Sequence, residues 1–147
     1  MSTEAERVTS GPPSDEAPPG DSVTLTYDCA DDPATVLERV REVLAAVIPP
    51  PRPWPSLDEW RERLPAWFVD ACSDDVQIST CVVDKWSLRA WVWWFQPEQR
   101  RWTWWDARTT DDGRIAVQVT PTGNGSLLVG SLEWLLEAAG AEIKKGG

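Results

Sequence analysis

The stretch from Trp86 to Trp105 constrains the fold of this chain more than any other. Seven of the eleven tryptophans fall within it. The run Trp86-Ser87-Leu88-Arg89-Ala90-Trp91-Val92-Trp93-Trp94-Phe95 is rich in aromatic and β-branched residues. So is Arg101-Trp102-Thr103-Trp104-Trp105-Asp106, and Gln96-Pro97-Glu98-Gln99-Arg100 separates the two. Two such runs about a short polar segment predict a β-hairpin with a loop of four or five residues. A four-residue loop sets Trp93 opposite Trp102, Trp91 opposite Trp104 and Arg89 opposite Asp106. A five-residue loop sets Trp94 opposite Trp102, Trp91 opposite Trp105 and Ala90 opposite Asp106. The first register is preferred for its cross-strand charge pair. Both faces of such a hairpin carry large apolar groups, whereas an antiparallel sheet usually wets one. One tryptophan face is therefore expected to be core and the aromatic excess on the other a contact surface. Arg89, Trp91, Trp93, Trp102, Trp104 and Asp106 are the candidate partner-binding residues, because tryptophan and arginine concentrate binding energy at interfaces.

The remaining pattern sets the hairpin among helices. Residues 1–20 are rich in proline, glycine and acid, with too little apolar surface to offset ordering entropy, and predict a disordered tail. Val23 to Tyr27 alternates as a strand. Asp32-Pro33 opens a helix whose Val36, Leu37, Val40, Val43, Leu44, Val47 and Ile48 form one apolar stripe, and Pro49-Pro50-Pro51 ends it. Ser56-Leu57-Asp58-Glu59 is a capping box for a short helix with Trp60 on its apolar side, and Pro65 interrupts it. Val76 to Val83 reads as a strand, Asp84-Lys85 as a turn, and Thr109 to Gly113 as another. Arg114 to Thr120 alternates as a strand with one wet face. Ser131 is expected to cap a last helix carrying Leu132, Leu135, Leu136 and Ala139, which Gly140 ends. The expectation is α+β: an antiparallel meander of four to five strands with helices packed mainly on one face, in a single domain over 21–141 and a frayed tail over 142–147.

Charge and composition remove several classes of function. The net charge is −10. Residues 1–20 carry −3, and Asp21, Asp28, Asp31 and Asp32 add −4, which leaves −3 for residues 33–147. This acidity argues against nucleic acid, which expects a basic face, and is compatible with a basic protein partner. No apolar run approaches a membrane span and no secretory signal is visible, so a cytoplasmic location and no membrane partner are expected. Cys29, Cys72 and Cys81 are odd in number and irregular in spacing, and read as small core residues rather than a disulfide framework or a metal site. With no histidine in the chain, Ser–His–Asp and Cys–His pairs and imidazole–zinc sites are excluded. Gly123-Asn124-Gly125-Ser126 lacks the lysine of a phosphate loop and reads as a turn. Asp111 and Asp112 read as turn residues, and Asp31 and Asp32 as a helix cap rather than a calcium site. Carboxylate pairs drawn from Asp70, Asp74, Asp75, Asp84 and Asp106 remain open as glycosidase-type acids, but nothing in the spacing fixes two of them together. No cofactor is implied.

Three stretches carry a resemblance. They are Trp60-Arg61-Glu62-Arg63-Leu64-Pro65-Ala66-Trp67-Phe68, Arg101-Trp102-Thr103-Trp104-Trp105-Asp106-Ala107, and Leu132-Glu133-Trp134-Leu135-Leu136-Glu137-Ala138-Ala139-Gly140-Ala141. Together they resemble small acidic bacterial proteins of the toxin-immunity kind, which implies a cognate toxin as partner. The expected function is a non-enzymatic protein-binding module of that type. The alternatives are a small-ligand or carbohydrate-binding domain that stacks ligands on tryptophan, and a homodimer that buries the hairpin surface against itself.

Overall fold

Alternation and cross-strand pairing account for the sheet. In the computed structural model, residues 3–48, 51–72, 87–96, 98–122 and 129–142 are described. The strands are β1 (Val23–Cys29), β2 (Trp102–Thr109), β3 (Ile115–Pro121) and the two-residue β4 (Ala141–Glu142), all antiparallel. The helices are α1 (Glu4–Ser10), α2 (Pro33–Val47), α3 (Leu57–Arg63), α4 (Ala66–Ala71), α5 (Leu88–Trp94) and α6 (Gly130–Ala139). The class is α+β, as the sequence predicts. The strand order is β2-β3-β1-β4, which is not a simple meander. Among the described strands only β2 and β3 form a hairpin, about the Thr109–Gly113 turn, and β1 inserts between β3 and β4. The strand expected over Val76–Val83 and the turn at Asp84-Lys85 lie outside the described residues, as does most of the C-terminal tail.

Register places the core. Val23, Leu25 and Tyr27 stand opposite Val119, Val117 and Ile115. Trp104 stands opposite Val119, and Ala107 opposite Val117. Tyr27, Trp102, Trp104, Ala107, Ile115, Val117 and Val119 are buried on this inner face. The opposite face carries exposed Thr24, Thr26 and Arg108 beside half-buried Thr103, Gln118 and Thr120, so it is partly wet, with only Ala116 buried on β3.

Helices α2 and α3 form where the caps predict. Asp32 accepts the Thr35 N–H at 3.1 Å and Pro33 takes the first helical turn. The resulting stripe of Val36, Val40, Val43, Leu44 and Val47 is buried and joins the inner sheet face and α6 in one hydrophobic cluster. Ser56 and Glu59 make the expected capping box, with Trp60 fully buried. Ser131 is not the cap of α6. Val129 precedes the helix there, and Ser131 is buried in its first turn. Its carbonyl is used instead, accepting the Trp91 indole N–H at 2.9 Å.

Two further expectations fail. Residues 88–94 are helix α5, not the first strand of a hairpin, so β2 pairs with β3 and not with them. Ser87 caps α5 by accepting the Ala90 N–H at 3.1 Å. Leu88, Trp91, Val92 and Phe95 then fall at i, i+3, i+4 and i+7, one helical face, and all four are buried. Residues 1–20 are not a featureless tail. Thr3 caps α1, accepting the Glu6 N–H at 3.2 Å, and Gly11, at φ +77°, closes it with its N–H on the Arg7 carbonyl. Val8 is fully buried in the main core.

Helix α1 sits on the outer edge of β2. The Glu4 carboxylate accepts the Trp104 N–H at 2.7 Å and two hydrogen bonds from Arg100 at 2.5 and 2.7 Å. Arg7 donates twice to the Trp104 carbonyl, at 3.1 and 3.2 Å, with its guanidinium 4.7 Å from the Trp105 ring centre. Arg41 of α2 donates to the Val8 carbonyl at 2.8 Å, to the Ala107 carbonyl at 3.2 Å and to Asp106 at 3.3 Å. An edge strand with bare N–H and C=O groups invites foreign pairing. Here side chains satisfy that edge, and a bulge at Trp105 breaks its regularity.

Gly140 joins α6 to β4 at φ +121°, and its carbonyl accepts the Ala30 N–H at 2.8 Å. A Cβ there would lie 2.6 Å from the Asp31 carboxylate and 3.1 Å from Val36. Gly140→Ala is therefore expected to destabilise the fold by about 1–3 kcal/mol, read from the shift of a urea unfolding midpoint. An unchanged midpoint would contradict the strained, crowded junction.

Candidate functional site

The outer face of α5 is the candidate surface. At 3.6 residues per turn, Arg89 and Trp93 lie one turn apart on the side opposite Trp91. Trp93 is 45 % exposed, and every other described tryptophan is buried or half-buried. Arg89 is exposed. Trp94 is half-buried and meets Trp93 edge to face, with centroids 4.9 Å apart.

This face stands on a fixed base. Trp91, directly beneath, lies 4.5 Å from Phe68 of α4 and 4.3 Å from Phe95. Phe95 in turn meets Trp102 of β2 at 5.6 Å, and Trp67 meets Phe68 at 5.9 Å. The row Trp67–Phe68–Trp91–Phe95–Trp102 thus ties α4, α5 and β2 together, and the Trp91–Ser131 hydrogen bond adds α6. Aromatic contacts of this kind add about 0.5–1.5 kcal/mol each beyond area burial.

The six candidate residues of the sequence do not form one site. Arg89 and Trp93 share the outer face of α5. Trp91, Trp102 and Trp104 are at most 1 % exposed, so they are core residues and not a contact surface. Their burial follows from the change of α5 from strand to helix, which puts Trp91 under the helix and leaves β2 to line the sheet interior. Asp106 lies at the β2 edge, where its charge partner is Arg41 at 3.3 Å rather than Arg89. Trp94, which the sequence reading passed over, belongs to the site. Its signal was the Trp93-Trp94 pair following an i, i+3, i+4 apolar pattern, which leaves one of the two outside the core.

No family model, curated protein or solved structure matches the chain.

Several titratable side chains among the described residues have structural partners. Asp31 pairs with Arg39 at 3.2 Å and Asp58 with Arg61 at 3.1 Å. Asp112 accepts from Arg114 at 2.5 and 2.8 Å and from Thr110, and these donors hold its carboxyl down at about 2. That is the turn role the sequence predicts. Cys29 and Cys72 pack half-buried against the core. Burial, then the nearby carboxylates of Asp28, Glu142, Asp31 and Asp32, push the Cys29 thiol up, away from the thiolate a nucleophile needs. Among the described residues no cluster of three His, Cys, Asp or Glu side chains is placed to hold a metal, and no helix is long and apolar enough to cross a membrane. Asp74, Asp75 and Asp84 lie outside the described residues.

Tyr27 is the single tyrosine of the chain. Its hydroxyl donates to Glu133 of α6 at 3.0 Å. Burial first, and then the Glu133 charge and hydrogen bond, hold its phenol well above the ordinary value. A phenol ionises at about 10 in an unfolded chain. The folded state keeps the proton longer, so the stability this contributes is full below about pH 10 and falls as pH rises above it. The phenolate absorbance band is expected to be silent in the native protein at pH 11 and to titrate near 10 in denaturant. A native titration near 10 would break the Tyr27–Glu133 pairing.

The two α5 faces also separate by stability. Trp91→Ala is expected to cost about 3–5 kcal/mol in denaturant unfolding, and Trp93→Ala within about 0.5 kcal/mol of zero. Equal costs would show that Trp93 is part of the core.

Proposed function

We propose that this protein is a non-enzymatic protein-binding module whose contact centres on Arg89, Trp93 and Trp94 of α5. The observation that carries the reading is the 45 % exposure of Trp93 in a chain whose other described tryptophans are buried or half-buried. A large aromatic on a rigid helix, flanked by arginine, has the composition of an interface hot spot. Its base is fixed by the aromatic row, so little ordering entropy is lost on docking. The net charge of −10 favours a basic partner through electrostatic steering. The finer reading is an immunity-type inhibitor of a cognate toxin, working in the cytoplasm, where the free thiol of Cys29 suits a reducing compartment.

The test is titration of the purified chain against the product of the adjacent gene, followed by calorimetry. A 1:1 complex is expected, weakened at least about tenfold by Trp93→Ala, or 1.4 kcal/mol or more. Protection of cells from that product should fall in parallel. Absence of any complex, with the adjacent product harmless, would sink the immunity reading. Quenching of tryptophan fluorescence by a glycan, abolished by Trp93→Ala, would replace it with carbohydrate binding.

A further inference from the structure

The β2 edge supports an inference independent of the α5 face. Glu4, Arg7 and Val8 stand at i, i+3 and i+4, on one side of α1. Through them α1 takes the Trp104 N–H, the Trp104 carbonyl, the Arg100 guanidinium and a fully buried aliphatic position. We infer that this edge is a docking site for a helical segment with that pattern, and that α1 of a second copy can occupy it, exchanged between two chains.

Four observations carry the exchange. Helix α1 has seven residues, of which only Val8 is buried. A helix this short does not hold alone in water, so the edge holds it. Its release breaks polar clasps and withdraws one valine, and such openings lie at the low-energy end of native fluctuations. The connection from Gly11 to Ser22 contains Pro12, Pro13, Pro18, Pro19 and Gly20, and most of it is exposed. At about 3.3 Å per extended residue it spans on the order of 40 Å, long enough to reach a neighbouring chain.

The charges match as well. The segment around α1 carries Glu4, Glu6, Asp15, Glu16 and Asp21 against Arg7, while the edge it meets carries Arg41 and Arg100 beside Asp106. When α1 leaves, Glu4's two donors, Arg100 and the Trp104 N–H, lose their partner together. An open edge of this kind is refilled, from the same chain or from another. The α1 of a second copy already has the side chains that fit. Occupancy in cis wins at low concentration because the tether gives a high local concentration, and exchange grows as protein concentration approaches that value.

Complementation between full-length variants tests this. Val8→Asp leaves an intact edge with an α1 unable to seat. Arg100→Glu leaves a sound α1 with an edge that repels Glu4. Each alone is expected to sediment as a monomer, and their mixture as a 1:1 dimer. A mixture that stays monomeric, with both variants folded by near-ultraviolet circular dichroism, overturns the inference. If either variant fails to fold, a labelled peptide of residues 1–12 is titrated into the full-length Glu4→Ala chain and into the unaltered chain at millimolar peptide. Saturable 1:1 binding is expected, at least tenfold tighter to Glu4→Ala than to the unaltered chain. No binding to either overturns the proposal.

Discussion

The aromatic row through Trp91 holds the structure together. Three helices and the sheet meet at that ring: α4 through Phe68, β2 through Phe95 and Trp102, and α6 through the Ser131 carbonyl. The rings are large enough to bridge elements that are far apart in sequence. The indole N–H of Trp91 is satisfied, whereas those of Trp60, Trp104 and Trp134 are buried with no hydrogen-bond partner among the described residues. An unsatisfied buried donor costs about 1–3 kcal/mol. A fully buried ring removes about 150–250 Å² from water, and that area more than offsets the lost bond. The core is thus built on ring area, with polar satisfaction secondary.

The sheet adds a second constraint, because β2 is the outermost of the described strands. Among the described residues no further strand pairs with it, so side chains close its outer side. They do so with charges: Glu4 and Arg7 stand in for a neighbouring strand's carbonyl and amide, and Arg41 links the same edge to α2. These groups are partly screened from water, with Arg100 and Glu4 side chains 12 % and 17 % exposed, so their pairing is worth more than a surface ion pair. The acidity of the N-terminal region therefore has a structural use where it meets the arginines that flank β2.

These two constraints explain what the sequence made legible. Helices α2 and α3 were readable because each has its own cap and its own apolar stripe, which are local signals. Strands β1 and β3 were readable from alternation. Helix α5 was misread because tryptophan and valine favour strands in isolation, yet Ser87 and the Leu88–Trp91–Val92–Phe95 spacing were a helix signature in plain view. Tertiary packing of Trp91 decided between them. Helix α1 was missed for a different reason. Its Thr3 cap, acidic first turn and Gly11-Pro12 stop are all present, but its stability comes from an edge about a hundred residues away, and composition alone counts such a segment as disordered. The candidate site was half legible. Arg89 and Trp93 were named, but the surface around them depends on the helical period, which the hairpin assignment had replaced.

That period also explains why a tryptophan remains in water. In a strand, Trp91, Trp93 and Phe95 would share one face, and a single covering layer would bury all three. In a helix, successive side chains turn by about 100°, so Trp93 stands about 200° from Trp91 while Phe95 returns to within about 40° of it. Once Trp91 and Phe95 are committed to the aromatic row, no rotation of α5 buries Trp93 without exposing one of them. A polar side chain at that position would satisfy the helix equally well and would leave the core untouched. The exposure of Trp93 is thus a consequence of the helical period of α5, and folding alone does not require an indole at that position.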